Sequence, residues 1–316
     1  MRILIFGGRG WLGGMFISAA TAAGHTIIEA QTRADNHLAV HYEIIRSMAT
    51  HVISFIGRTH GTYEGEHIGT IDYLEKPGKL VENLCDNLYG PFILARECER
   101  LGVHLTYFGT GCIFEYDAAH PPRAVSGEDH SGFKEHDKPN FFGSSYSVVK
   151  GFTDRMMNEE FSTTTLNVRI RMPISSVPNP RNLIDKLLKY KKIIDLPNSA
   201  TVIDDLYPAL LTLMDRGTVG PINACNPGTL FPSQILQFYK DNYDNRHNWE
   251  EVSKAEVETL LGNGRSNNYL DTERIERLCP NFPHAEDSLQ RIMVKYCASL
   301  PPVNSGRHDW FGADTE

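Results

Sequence analysis

Arg2-Ile3-Leu4-Ile5-Phe6-Gly7-Gly8-Arg9-Gly10-Trp11-Leu12-Gly13 opens the chain with an apolar run that breaks at a glycine. Residues 2–6 read as a short buried strand, and residues 11–23, rich in Ala, Leu and Met, read as a helix. Between them lies G-x-x-G-x-x-G. A glycine loop joining a strand to a helix is the context that seats a dinucleotide pyrophosphate. Gly7 permits the tight turn and Gly10 lets the backbone approach the phosphates. Gly13 allows the helix to pack on the sheet with its N-terminus, Trp11 and Leu12, facing the anion. The spacing is not the commoner G-x-G-x-x-G, and three glycines also occur in ordinary turns, so the flanking strand and helix carry the reading.

Outward from this loop the pattern repeats. Strands are expected at 25–30, 51–56, 105–108 and 166–170, and helices at 38–49, 75–101 (interrupted near Pro91) and 145–160. Strand alternating with helix predicts an α/β fold with a doubly wound parallel sheet covered on both faces. After Arg171 prolines punctuate the chain, at 173, 178, 180 and 197, and shorter helices follow at about 182–190, 203–215, 232–240, 253–261 and 285–298. We therefore expect a dinucleotide-binding domain over 1–172, with 202–226 returning to it. A smaller lobe is expected from 173–201 and 227–300, with a flexible polar tail over 304–316.

Composition narrows the function. A net charge of -8 argues against broad binding to a nucleic-acid backbone, though not against a local nucleotide site. The six cysteines are scattered, without a C-x-x-C pair or zinc-like spacing, which suits a reducing compartment and no metal. No apolar run approaches membrane-span length, and the apolar start is too short for a signal sequence. The expectation is a cytosolic protein with no membrane partner.

Tyr146-Ser147-Val148-Val149-Lys150 places a phenol and an ammonium one helical turn apart on one face. An ammonium beside a phenol favours phenolate, and such a phenol can give a proton to a carbonyl while a cofactor delivers hydride. Thr110, two residues past a predicted strand, stands at the carboxyl edge where ligands bind in such sheets. Its hydroxyl could share the substrate carbonyl with Tyr146. Asn87, in the long helix, could orient Lys150 through a water. The second strand is read as ending at Gln31-Thr32-Arg33, with no carboxylate until Asp35. Arg33 and Arg9 could then reach a 2′-phosphate, which favours NADPH over NADH; the alternative is two solvated arginines.

These features together resemble the extended short-chain dehydrogenase/reductases, the family of sugar-nucleotide epimerases, dehydratases and reductases. The resemblance covers roughly residues 1–300 and rests on the glycine loop, Asn87 in Asp86-Asn87-Leu88-Tyr89-Gly90, the Thr110 segment and Tyr146-x-x-x-Lys150. Arg265-Ser266-Asn267-Asn268-Tyr269-Leu270-Asp271 resembles the family's late Arg…Leu-Asp segment, which implies that Arg265 contacts a nucleotide-sugar diphosphate. Longer strings are similar to plant UDP-rhamnose synthases in their epimerase/reductase portion. These are residues 109–121, Arg171-Met172-Pro173-Ile174-Ser175-Ser176, Asn179-Pro180-Arg181-Asn182 and Leu196-Pro197-Asn198-Ser199.

The resemblance implies conversion of UDP-4-keto-6-deoxy-D-glucose to UDP-L-rhamnose, by epimerisation at C3 and C5 and NADPH reduction at C4. Cys112, two residues past Thr110, is the first candidate for the ring-carbon acid/base; the alternative is a small buried hydrophobe. GDP-fucose synthases, a similar dual-function family, have a catalytic cysteine at the matching position and a histidine in the second lobe. Here that stretch is Asn182-Leu183-Ile184-Asp185-Lys186, without histidine. Lys186 is the available donor, with His136 a weaker one and a solvated helix lysine the alternative. UDP contacts are expected from Asn182, Asn198 and Arg265. Arg58 is expected to touch substrate unless it pairs with Glu64 or Glu66. The family resemblance also implies a homodimer. The competing readings are a monofunctional 4-keto-sugar reductase of the dTDP-rhamnose type and an NADP-binding regulator that has lost catalysis.

Overall fold

The computed structural model describes residues 1–122, 132–261 and 264–302; the tail expected over 304–316 lies outside them. Six parallel strands form the central sheet: β1 (Arg2–Phe6), β2 (Thr26–Glu29), β3 (His51–Ser54), β4 (His104–Thr110), β5 (Thr165–Ile170) and β6 (Gly220–Asn223). Their spatial order is β6-β5-β4-β3-β1-β2. The winding reverses between β1 and β3, which opens a crevice at their carboxyl ends. Every residue of β5 is buried, as a sheet covered on both faces requires.

One face packs Phe16 of α1 (Trp11–Ala22) against Leu206, Tyr207 and Leu210 of α7 (Ile203–Asp215). The other packs α2 (His37–Ser47), α4 (Gly90–Leu101) and α5 (Ser145–Glu159) through Val40, Ile44, Leu94 and Met157. A separate cluster joins α6 (Leu183–Lys189), α8 (Pro232–Asn242) and α11 (Ala285–Ser299) through Ile184, Leu236 and Ile292. α9 (Lys254–Leu261) and α10 (Glu273–Leu278) complete the helices that follow α8 before α11, and Ile275 of α10 joins the cluster around α1 and α7. Among the described residues no helix is long and apolar enough to cross a membrane.

Four local departures from the sequence reading have physical causes. β2 ends at Glu29, earlier than expected, because Glu43 accepts the Gln31 and Thr32 backbone N–H groups at 2.6 and 3.0 Å. β4 runs on to Thr110, where Gly109 and Thr110 pair with Arg169 and Ile170. β6 was not foreseen: it carries Gly220 and Pro221, which suit only an edge strand.

The long helix breaks before Pro91, in a π turn at Cys85–Tyr89 between α3 (Leu80–Leu84) and α4. Pro91 has no N–H to offer the Asn87 carbonyl four residues back. Thr153 of α5 donates to that carbonyl instead, at 2.6 Å. The break thus ties down the helix that carries Tyr146 and Lys150.

Candidate active site

The glycine loop is tight for reasons of contact as well as conformation. Gly7 has φ +82°, and a Cβ on it would meet the Phe55 carbonyl carbon at 3.0 Å. A Cβ on Gly13 would lie 2.3 Å from the Gly7 oxygen. α1 starts at Gly10 with no side chain capping its first N–H groups. Gly10, Trp11, Leu12 and Gly13 line a cleft of about 470 Å³. A bare helix N-terminus under a loop with no room for Cβ atoms fits a dinucleotide pyrophosphate.

The groups around the second strand are arranged differently from expectation. A carboxylate does end β2: Glu29, whose Oε2 lies 3.0 Å from the position a Gly8 Cβ would take. Arg33 is exposed and donates to both oxygens of Asp35, with Asp86 at 3.4 Å. Arg9 is exposed and lines a second, neighbouring cavity together with Arg181. Asn87 is engaged with the loop after β3. Its amide accepts from the Arg58 N–H at 3.0 Å and donates to the Arg58 carbonyl at 2.9 Å, so it fixes the loop after β3.

Thr110, Cys112, Tyr146, Lys150 and Lys186 all line the one cleft, with Arg171 and Met172 beside them. α5 begins at Ser144, whose hydroxyl accepts from Ser147 N–H at 3.2 Å, and this sets the rotation that buries both Tyr146 and Lys150. Burial and then the nearby Cys112 push the Tyr146 phenol up, while its hydrogen bond with Thr110 and the charge of Arg171 act the other way. The expectation that Lys150 lowers this phenol is not met. Lys150 instead donates to the hydroxyl of Tyr107 on β4, with Phe108 O at 3.4 Å. Its own pKa is lowered to about 8 by burial, opposed by Asp154 and Cys112.

The Lys150 ammonium is present at pH 7 and is lost as pH rises through about 8, so any step using its charge slows on the alkaline side. The kcat–pH profile should show a basic limb near pH 8. A profile flat to pH 10 would separate Lys150 from the chemistry.

Cys112 is held from three sides. Its N–H donates to Thr110 Oγ1 at 3.0 Å, its carbonyl accepts from Ser147 Oγ at 2.7 Å, and Arg171 Nη1 lies 2.8 Å from its sulfur. Lys186 has its pKa lowered by burial and by Arg181, with Cys112 opposing. His136 is exposed beside Asp137, outside the cleft lining.

Three expected substrate contacts are engaged within the protein. Arg58 pairs with Asp86 at 2.8 Å, not with Glu64 or Glu66, and is not part of the cleft lining. Asn182 caps α6 and donates to the Ser175 and Val177 carbonyls at 2.9 and 3.1 Å. Asn198 accepts from Arg171 at 2.7 Å and donates to Asn267 at 3.0 Å. Arg265 does line the cleft, paired with Asp72 at 2.9 Å. Sequence reading gave no role to Arg171, Tyr107, Arg181 or His60. Arg171 was within reach: it follows the last residue of β5 and so stands at the same carboxyl edge as Thr110.

No family model matches the chain. It is 44% identical over 295 residues to protein L780 of Acanthamoeba polyphaga mimivirus, covering 93% of this chain and 98% of that one. The crystal structure of L780, a UDP-rhamnose synthase, superposes with a TM-score of 0.87 over 93% of this chain and 99% of that one. A bifunctional dTDP-4-dehydrorhamnose 3,5-epimerase/reductase of Arabidopsis thaliana is 34% identical over 93% of each chain. A dTDP-4-dehydrorhamnose reductase of Bacillus anthracis, solved with NADP, shares the fold at 18% identity and a TM-score of 0.71, over 93% of this chain and 99% of that one. With the parallel sheet, the glycine loop and the Thr110–Tyr146–Lys150 cleft in place, these relatives identify the chain as a member of the extended short-chain dehydrogenase/reductases, in the family of rhamnose-forming sugar-nucleotide 3,5-epimerase/4-reductases.

Proposed function

We propose that this protein converts UDP-4-keto-6-deoxy-D-glucose to UDP-L-rhamnose by epimerising C3 and C5 and then reducing C4, all in one cleft. The observation that carries the reading is the shared lining: a phenol and a hydroxyl (Tyr146, Thr110), a thiol (Cys112) and an amine (Lys186) face a single space. Protons on C3 and C5 flank the ketone, so their removal gives an enolate. Tyr146 and Thr110 hydrogen-bond the developing oxyanion. Cys112, as thiolate, takes the proton from one ring face, and Lys186, as ammonium, returns one to the other. NADPH, when bound, supplies hydride to C4. Tyr146 donates the proton that completes the alcohol, a role its raised pKa suits because the phenol stays protonated until the oxyanion forms.

The glycine loop and the α1 N-terminus hold the pyrophosphate of the cofactor. Arg33 takes the 2′-phosphate on leaving Asp35, while Glu29 at the end of β2 keeps NADH usable through the 2′-hydroxyl. Arg33→Ala should raise the KM for NADPH about tenfold and leave that for NADH within about twofold, the cost of one exposed charged contact. Equal changes for both would remove Arg33 from cofactor selection. Arg265 and Arg181 hold the substrate diphosphate from the cleft edge. The enzyme works as a cytosolic homodimer, paired through the helices that hold Asn87 and Tyr146. Its small lobe, 173–201 with 227–300, closes the substrate side.

A monofunctional reductase has no use for a ring-carbon base, so Cys112 discriminates between the readings. Cys112→Ala should slow deuterium exchange at C3 and C5 of the substrate about 10²- to 10⁴-fold. The NADPH-dependent reduction of substrate already epimerised should fall far less. Unchanged exchange would leave Cys112 as packing.

A further inference from the structure

We infer that Arg171 is the positioning residue that holds Cys112 as the thiolate base, anchored from the second half of the chain through Asn198 and Ser266. This rests on the proposed epimerase function of the cleft and names a residue to which that reading assigns no part.

A guanidinium has five N–H groups and no acceptor. Arg171 Nη1 lies 2.8 Å from the Cys112 sulfur, so the sulfur must be the acceptor. A thiolate accepts better than a thiol, and it is also the form able to take a proton. Arg171 is 5% exposed, so water competes little for this contact. Its other terminal nitrogen is fixed twice, on Asn198 Oδ1 at 2.7 Å and on the Ser266 carbonyl. Asn198 is itself held by Asn267 at 3.0 Å and by the Leu196 carbonyl at 3.1 Å. Nη2 is thus anchored and Nη1 meets the sulfur, while the buried Nε has no hydrogen-bond partner among the described residues.

Local backbone supports the same geometry. A Cβ on Gly111 would lie 2.7 Å from Leu270 Cδ1, so glycine there lets Leu270 pack beside the arginine stem, whose Cδ the same Cβ would touch at 3.4 Å. Met172, the next residue, lies at φ +41°, a conformation costly for a side chain. That turn swings the chain from the sheet into the 173–174 strand while leaving Arg171 at the cleft. The facing charges complete the picture. Lys150 and Lys186 both sense Cys112, and Tyr146 lies against it. Among the described residues no carboxylate lines the cleft, so none of them opposes a negative sulfur by repulsion there.

The proton balance is simple. The thiolate takes a proton from C3 or C5, forming S–H as C–H breaks, and the electron pair moves to the C4 oxygen. Reprotonation of carbon from Lys186 releases the pair; solvent then takes the thiol proton and returns one to the Lys186 amine, which restores the Arg171–thiolate pair and the ammonium.

The test uses the intact protein and reads the thiol directly. Cys112 alkylation by iodoacetamide at pH 7 is followed by peptide mass spectrometry. Alongside it, C3/C5 deuterium exchange and C4 reduction are measured with UDP-4-keto-6-deoxy-D-glucose. In Arg171→Gln, alkylation should slow about tenfold, because the sulfur loses its cationic donor. The ratio of exchange to reduction should fall by a similar factor. Arg171→Lys, which keeps the charge, should recover most of the alkylation rate. Alkylation at the wild-type rate in Arg171→Gln, or exchange and reduction falling in parallel, overturns the assignment. If Arg171→Gln does not fold, the wild-type protein decides: Cys112 should alkylate faster than the similarly half-buried Cys85, and a slower or equal rate overturns it. Absence of exchange in the wild type would instead sink the epimerase reading, and the alkylation result would still stand by itself.

Discussion

Tyr146→Phe is expected to cut the rate of C4 reduction about a thousandfold, within the range for loss of a positioned general acid. The ring should keep its place. Tyr146 is buried on α5 and packs with Tyr73 and Leu74, contacts that Phe retains. Only the hydroxyl is lost, and with it the hydrogen bond to Thr110. The KM for substrate should therefore change little while kcat falls. Exchange at C3 and C5 should survive at a reduced rate, because the thiol remains and only one of two oxyanion donors is gone. Single-turnover NADPH oxidation checks this; a variant retaining a tenth of wild-type activity would show that another group supplies the proton.

The largest effect on stability should come from Asp154→Ala. Asp154 accepts two hydrogen bonds from Arg169, at 2.8 and 2.7 Å, and both residues are buried. It also accepts from Asn158 at 3.0 Å and Asn167 at 2.8 Å. The arginine stands on β5 and the aspartate on α5, so this pair fixes the catalytic helix on the sheet. Removing one partner leaves a buried guanidinium uncompensated, which costs about 3–5 kcal/mol. The corresponding loss in Tm is roughly 5–8 °C. Asp154 also lies one turn beyond Lys150 and is the first group opposing its lowered pKa. In Asp154→Ala the basic limb of the kcat profile should move below pH 8. Asp154→Leu combined with Arg169→Met should recover much of the lost stability, because no charge is then stranded. A Tm within about 2 °C of wild type in Asp154→Ala would mean that the pair contributes little.

How much of this the sequence disclosed differs by scale. The sheet was legible because buried parallel strands are continuous apolar runs, and Leu4, Val52, Leu105 and Val168 stand in just such runs. Tyr146, Lys150, Thr110 and Cys112 could be placed on one edge because periodicity and strand ends locate them. Charge partners could not. Lys150 was assigned to Tyr146 by helical spacing, yet Tyr107 reaches it from a strand forty-three residues earlier. Asn182 and Asn198 read as UDP contacts, and Asn87 as a partner of Lys150, because they are polar and sit in distinctive strings. Their amides instead satisfy buried backbone and side-chain groups nearby. The missed carboxylate at Glu29 has the same origin: where β2 ends depends on Glu43, on a different helix. Partner choice for a buried polar group is a property of packing, which local sequence does not encode.

The central claim is that one cleft performs both the epimerisation and the reduction. Incubating the protein with UDP-4-keto-6-deoxy-D-glucose and NADPH in D2O, and reading the product by NMR, tests it most directly. UDP-L-rhamnose carrying deuterium at both C3 and C5 is the predicted result. A reduced 6-deoxyhexose with its original C3 and C5 configuration and no deuterium at either carbon would contradict it.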